Sequence, residues 1–270
     1  METILITGCS TGIGFETALY LQSKGFRVFA TARNSADVEK LKELSFEAFE
    51  LDVTKKEQIT TVLDEVLKLT GGTLDAVFNN AGFGQPGALE DVSTEALQYQ
   101  FETNVFGLHE MTIQTLKIMK KQGYGRIIQH SSVVGLIALR IRGAYVASKY
   151  AVEGLTDTLR QELAGTNIDI TLLNTGPVTS DFSKNAMKNL AMNVDVEHSR
   201  FKENYKKALE GEKSAVPFNL PAISVAKKVE AIMLAKKVKP RYYITKATYL
   251  LGYLKRILST SQLDKILLKI

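Results

Sequence analysis

One cysteine, Cys9, occurs in 270 residues, so no disulfide forms within the chain. The three histidines, His109, His130 and His198, stand far apart and give no zinc-type spacing. No metal site is expected, and each histidine reads as a surface or capping residue. No run approaches the roughly 18 apolar residues of a membrane span. The opening residues Met1 to Ile6 run straight into an apolar strand pattern. They lack the basic start, apolar core and small-residue cleavage site of a secretory signal, so a cytoplasmic protein is expected. Net charge is only +5, leaning on a lysine-rich C-terminal third that includes Lys227, Lys228, Lys236, Lys237 and Lys239. Solvated helix faces explain these lysines, and no nucleic-acid motif accompanies them. What is present is ordinary globular material, 45% hydrophobic and 23% charged. With no linker, repeat or low-complexity tract, residues 1–270 read as a single domain.

The chain is organised around Gly143 to Tyr150, which sets a phenol at Tyr145 four residues before an amine at Lys149. On a helix the two share one face. Free tyrosine has a pKa of about 10, and a cation within about 4–6 Å lowers it. Reaching about 7 takes roughly 4 kcal/mol, more than one lysine readily supplies. The pair therefore asks for a second positive charge and for something to protonate.

The N-terminal half reads as alternating strands and helices. Thr3 to Thr7 is a strand that ends in Gly8-Cys9-Ser10-Thr11-Gly12-Ile13-Gly14 and opens an amphipathic helix. Glycines between strand and helix let backbone N–H groups approach a pyrophosphate, whose charge the helix N-terminus favours. Phe26 to Thr31 is the second strand, followed by Arg33 with no acid between Val28 and Asn34. Arginine there accommodates the 2′-phosphate of NADP, where an acid would take the 2′-hydroxyl of NAD. The third strand ends at Asp52-Val53, where the acid suits an adenine amino group or a helix cap. The fourth, Leu74 to Phe78, empties into Asn79-Asn80-Ala81-Gly82. A long helical region, from about Ser93 to Lys121, carries Asn104 in its middle, where asparagine is a poor helix former.

Arg126 to Ser132 is the fifth strand, Gly143 to Leu163 a helix, and Ile168 to Asn174 the sixth strand. Residues 180–220 are polar and suit a mobile helical lid or a plain surface excursion. A helix over Leu220 to Lys237 and a seventh strand over Arg241 to Thr245 follow. The tail, 247–270, is amphipathic: Leu250, Leu251, Leu254, Ile257 and Leu258, then Leu263, Ile266 and Leu267. Packing on the protein or on a second subunit explains it most simply; a membrane-surface helix is the alternative. The alternation implies an α/β, Rossmann-type, doubly wound, seven-stranded parallel sheet with helices on both faces.

In this order Thr7-Gly8-x-x-x-Gly12-x-Gly14, Asn79 to Gly82, Asn104, Ser132, Tyr145-x-x-x-Lys149 and Gly176-Pro177-Val178 resemble the short-chain dehydrogenase/reductase family over residues 1–245. Within it, the chain looks most similar to bacterial NADP-dependent aldehyde reductases related to the retinol and 17β-hydroxysteroid dehydrogenase group. The resemblance implies a catalytic tetrad of Asn104, Ser132, Tyr145 and Lys149, with Ser132 preferred over Ser131. It implies that Lys149 lowers the Tyr145 pKa and holds the nicotinamide ribose, and that Asn104 anchors a water. NADP(H) contacts would come from Gly8, Ser10, Thr11, Gly12, Ile13, Gly14, Arg33, Asp52, Val53, Asn80, Ala81, Gly82, Tyr145, Lys149, Pro177, Val178 and Thr179 or Ser180. Val134, Leu136, Leu139 and Phe182 suggest an apolar substrate pocket. A homodimer or homotetramer through the helices carrying Asn104 and Tyr145 is expected. The expected activity is reduction of a lipophilic aldehyde or ketone, or oxidation of the matching alcohol. A lipid-surface dehydrogenase and a catalytically weak NADP-sensing regulator are the alternatives.

Overall fold

The computed structural model describes residues 2–210 and 217–270. Strand β1 (Thr3–Ile6) is fully buried and leads to helix α1 (Gly12–Ser23). Then come β2 (Arg27–Ala32), α2 (Ser35–Glu43), β3 (Glu47–Glu50), α3 (Lys56–Thr70) and β4 (Ala76–Asn79). Helix α4 (Thr94–Phe101) passes through a π-helical segment, Glu102–Gly107, into α5 (Leu108–Gln122). Strand β5 (Gly125–Ser132), helix α6 (Gly143–Glu162) and strand β6 (Ile168–Thr175) follow. The remainder is β7 (Val178–Thr179), α7 (Phe182–Asn193), α8 (Lys202–Leu209), β8 (Leu220–Pro221), α9 (Ile223–Met233), β9 (Arg241–Tyr243), α10 (Lys246–Ile257) and α11 (Thr260–Leu267).

Seven strands form one parallel sheet in the order β3-β2-β1-β4-β5-β6-β9. The direction of winding reverses between β1 and β4. Parallel strands need both faces covered, and the near-continuous apolar runs of β1 and β4 reflect this. One core contains Ile4, Ile6, Leu21, Phe78 and Val229; the other contains Leu5, Phe29, Ile59, Met111 and Ile127. Successive residues of β1 thus supply opposite layers, as strand pleating requires.

Four local features depart from the sequence reading. The long helix is interrupted by the π segment, which buries Asn104. The seventh strand stops at Tyr243, because Thr245 caps α10 by accepting from the Thr248 N–H. The tail breaks at Leu258, and a capping box between Ser259 and Gln262 starts α11. The segment after β6, expected to be polar, carries a small core in which Leu190, Val194 and Tyr205 pack with Val92, Ile141 and Met187. Its residues 211–216, part of the expected lid, lie outside the described residues.

Candidate active site

The switch in winding opens a crevice at the carboxyl ends of β1 and β4, where this architecture binds ligands. The Thr7 hydroxyl accepts from the Asn80 N–H at 3.0 Å and the Ala81 N–H at 2.9 Å. The Asn80 amide donates to the Thr7 and Gly8 carbonyls at 2.9 and 3.0 Å. These four bonds lock the turn after β4 to the glycine loop. Gly8 has φ +74°, a left-handed value that suits glycine. A side chain at Gly14 would overlap the Gly8 carbonyl and come 2.5 Å from Asn80 Nδ2. The loop is therefore built for close backbone approach. Thr11 leaves the N-terminus of α1 without a side-chain cap, and no acid stands in the first turn. Ser10 and Thr11 are exposed beside it. That open, positively polarised helix end fits a dinucleotide's pyrophosphate.

Arg33 is exposed just past β2, and its guanidinium donates to the Tyr99 hydroxyl at 3.2 Å. Asp52 uses one carboxylate oxygen to accept from the Thr54 N–H and hydroxyl, at 3.0 and 2.8 Å. This closes a turn ahead of α3 and does not cap the helix as expected, because the N-cap position falls on Lys55, which has no side-chain cap. Val53 is buried, and its carbonyl lies where a side chain on Gly107 would collide, 2.7 Å away.

Ser132 ends β5, while Tyr145 and Lys149 lie on the first two turns of α6. Burial pushes the Tyr145 phenol up to about 12, against the lowering pull of the Ser132 hydroxyl and the Arg142 charge. Ser131, by contrast, turns into the interior and donates to Glu153. The adjacent serines thus part ways, one to the crevice and one to the core.

Lys149 is anchored beside the phenol. Its ammonium donates to the His130 carbonyl at 2.6 Å and lies 5.7 Å from the Tyr145 ring centroid. Burial pushes Lys149 down to about 8, while Glu153, one turn further along α6, pulls it back up. The Asn104 side chain accepts from the Phe83 N–H at 3.1 Å and donates to the Phe83 carbonyl at 2.9 Å and the Ser148 hydroxyl at 3.2 Å. The amide staples the turn after β4 to α6, and its oxygen keeps one acceptor site free.

Three supporting residues escaped the sequence reading. Glu153 is buried and accepts from Asn174 at 2.6 Å and Arg241 at 3.1 Å as well as from Ser131. Burial raises its pKa, and Ser131, Arg241 and Asn174 lower it. His130 is not the surface or capping residue expected. Its ring stands 3.0 Å from Asn80 Oδ1 and 3.2 Å from the Thr175 hydroxyl. Because Asn80 Oδ1 only accepts, Nδ1 carries the imidazole proton. Burial, aided by the Lys149 charge, pushes His130 down to about 3 and keeps it neutral. The signal for Glu153 lay in the spacing, a carboxyl one turn beyond Lys149.

The substrate side is closed by the segment after β6. Pro177 accepts from the Leu220 N–H at 3.2 Å, and Val178 packs on the core. Ser180 lies over the glycine loop, 3.4 Å from where a side chain on Gly12 would begin. Phe182 rests on Tyr145. Val134 is buried. Leu136 and Leu139, expected in the pocket, face the tail instead: Leu139 packs with Leu263 and Leu267, and Leu136 approaches Gly252. Tail residues cover this apolar surface, which a strand-end count leaves open.

A doubly wound sheet with a glycine loop at its switch point, and Ser, Tyr and Lys gathered at the strand ends, defines a dinucleotide-binding class of α/β protein. The chain belongs to the short chain dehydrogenase family, whose model matches residues 2–191. It is 38% identical over 266 residues to the uncharacterized oxidoreductase YbbO of Escherichia coli K12, covering 98% of this chain and 94% of that one. It is 36% identical over 201 residues to human retinol dehydrogenase 8, covering 71% and 63%. A crystal structure of a short-chain dehydrogenase from Streptomyces avermitilis superposes with TM-score 0.78 at 26% identity, covering 98% and 93%. The protein is an oxidoreductase of this family. Among the described residues no cluster of His, Cys, Asp and Glu could hold a metal ion, and no helix is long and apolar enough to cross a membrane.

Proposed function

We propose that the protein is an NADP(H)-dependent reductase of lipophilic aldehydes or ketones, running the reverse alcohol oxidation on the same groups. The observation that carries this reading is the convergence of Ser132, Tyr145 and Lys149 beside the Gly8–Gly14 loop. In the proposal Ser132 donates a hydrogen bond to the substrate carbonyl oxygen. Tyr145, protonated at neutral pH, gives its proton to that oxygen as an alkoxide develops. Lys149 holds the His130 carbonyl, and its positive charge stabilises the phenolate left behind. Asn104 is a positioning residue that fixes Phe83 and Ser148. The nicotinamide, when bound, supplies or accepts the hydride.

Gly8, Ser10, Thr11, Gly12, Ile13 and Gly14 would hold the pyrophosphate. Arg33 would hold the 2′-phosphate, and Asp52 and Val53 the adenine. Asn80, Ala81, Gly82, Tyr145 and Lys149 would line the nicotinamide ribose, with Pro177, Val178 and Ser180 at the carboxamide. Arg33 favours NADP because it stands exposed where an acid would select NAD. Phe182 and Val134 favour an apolar carbonyl. Phe106 and Leu155, exposed on the helices bearing Asn104 and Tyr145, favour assembly into a homodimer or homotetramer.

The experiment is NADPH consumption against medium- and long-chain aldehydes, retinal and steroid ketones. Turnover of at least one carbonyl, faster with NADPH than NADH, is expected. No turnover with any of them would favour an NADP-sensing regulator, and faster turnover with NADH would refute the cofactor assignment.

A further inference from the structure

Helix α10 is apolar on two faces. Leu251, Leu254 and Leu258 turn inward with α11's Leu263 and Leu267 and pack on Val133, Ile137 and Leu139. The adjoining face carries Tyr249, Leu250, Tyr253 and Ile257, each more than half exposed at 57%, 53%, 66% and 62%. Residues 249, 253 and 257 follow one another at four-residue spacing, so with Leu250 they make a single stripe. A soluble helix ordinarily turns polar residues to water, and an apolar stripe left exposed beside the buried face is normally covered. Contiguous exposed patches of this kind mark interaction sites.

The charges around the stripe indicate its partner. Lys246, Lys255, Arg256, Lys265 and Lys269 are all exposed, against a single acid, Asp264. The tail's side chains thus carry most of the chain's +5 net charge. A two-fold contact would set this face against itself and bring like charges together. An anionic bilayer supplies the complementary sign. Tyrosines and long cations also suit that interface, with apolar bodies in the acyl boundary and polar tips among the headgroups. We infer that α10 and α11 dock this protein on an anionic membrane surface.

Docking there has a consequence for the site. The Leu136 side chain lies 3.1 Å from where a side chain on Gly252 would begin, so α10 leans directly on the connection between Ser132 and Tyr145. Thr245 and Thr248, at the start of α10, crowd Gly176 just ahead of Pro177. The docked face and the substrate side are therefore two sides of one packed layer.

The test is a binding measurement without substrate or cofactor, so its outcome is separable from that of the proposed activity. The full chain is sedimented with phosphatidylcholine vesicles, with and without phosphatidylglycerol, at low and high salt. Wild type should pellet with the anionic vesicles and be released by salt. Tyr253→Gln with Ile257→Gln should lower the partition by about a hundredfold or more. Lys255→Gln with Arg256→Gln should lower it roughly thirtyfold. Thermal melts of both variants confirm folding, since all four positions are exposed. Wild type remaining in the supernatant, or either folded variant pelleting like wild type, overturns the inference. So does equal binding to neutral vesicles. A wild-type dimer that the apolar variant splits into monomers also overturns it, because a second copy would then own this face.

Discussion

The Phe182 ring lies against the Tyr145 phenol, with centroids 5.3 Å apart and 50° between the planes. The two come from different layers, Phe182 from the first residue of α7 and Tyr145 from α6. Gly84 makes room for the contact: a side chain there would approach the Phe182 ring to 2.9 Å. A substrate reaching Tyr145 must pass or displace this ring. Phe182→Ala should therefore raise kcat/KM for bulky cyclic ketones relative to short aldehydes by about tenfold, the scale of pocket discrimination by apolar volume. Paired kinetics on one substrate of each kind check this; an unchanged ratio places Phe182 outside the substrate path.

Arg33 should set cofactor choice. A charge-assisted contact contributes roughly 1.5–3 kcal/mol, or about tenfold to a hundredfold or more in affinity. Arg33→Ala should reduce the preference for NADPH over NADH by that factor and leave NADH binding nearly unchanged. Cofactor titrations read this directly, and equal losses for both cofactors would contradict it.

Why some of these residues are legible in the sequence and others are not is physical. Arg33, the glycine loop and the Ser132, Tyr145 and Lys149 positions sit at strand ends and helix starts, which glycine punctuation and the change from strand to helix period mark. The π segment that buries Asn104 adds a residue to one turn without disturbing the apolar pattern around it. Glu153, His130 and Arg241 matter through partners supplied by distant elements, as Ser131 and Glu153 are. The tail's leucines read as one amphipathic face from sequence. Only packing separates Leu251, Leu254 and Leu258 from Tyr249, Tyr253 and Ile257.

The pH profile of reduction should carry one limb from Lys149. With the ammonium at about 8, its charge is present below that pH and lost above it, so kcat/KM for reduction should be level below and fall above. The phenol at about 12 remains a proton donor throughout this range. Lys149→Arg keeps the charge and should move the limb to higher pH. A limb that stays in place in this variant would belong to another group.

His130 should weaken the fold in acid. Its pKa is pushed from 6.5 to about 3, so between those values the unfolded chain holds a proton that the folded chain lacks. Stability therefore rises with pH across that window and is lost as pH falls through it. His130→Gln, which retains a donor and an acceptor, should flatten the slope of stability against pH there. Denaturant unfolding at several acidic pH values reads the slope; an unchanged slope assigns acid sensitivity to other groups.

The most direct test of the proposed chemistry is Tyr145→Phe, which removes one oxygen and keeps the ring that Phe182 packs on. General acid catalysis contributes about a hundred- to ten-thousandfold. The expected result is a fall in kcat of that size with NADPH binding, measured by fluorescence titration, left near wild type. Turnover retained in the folded variant would contradict the assignment of Tyr145 as the proton donor.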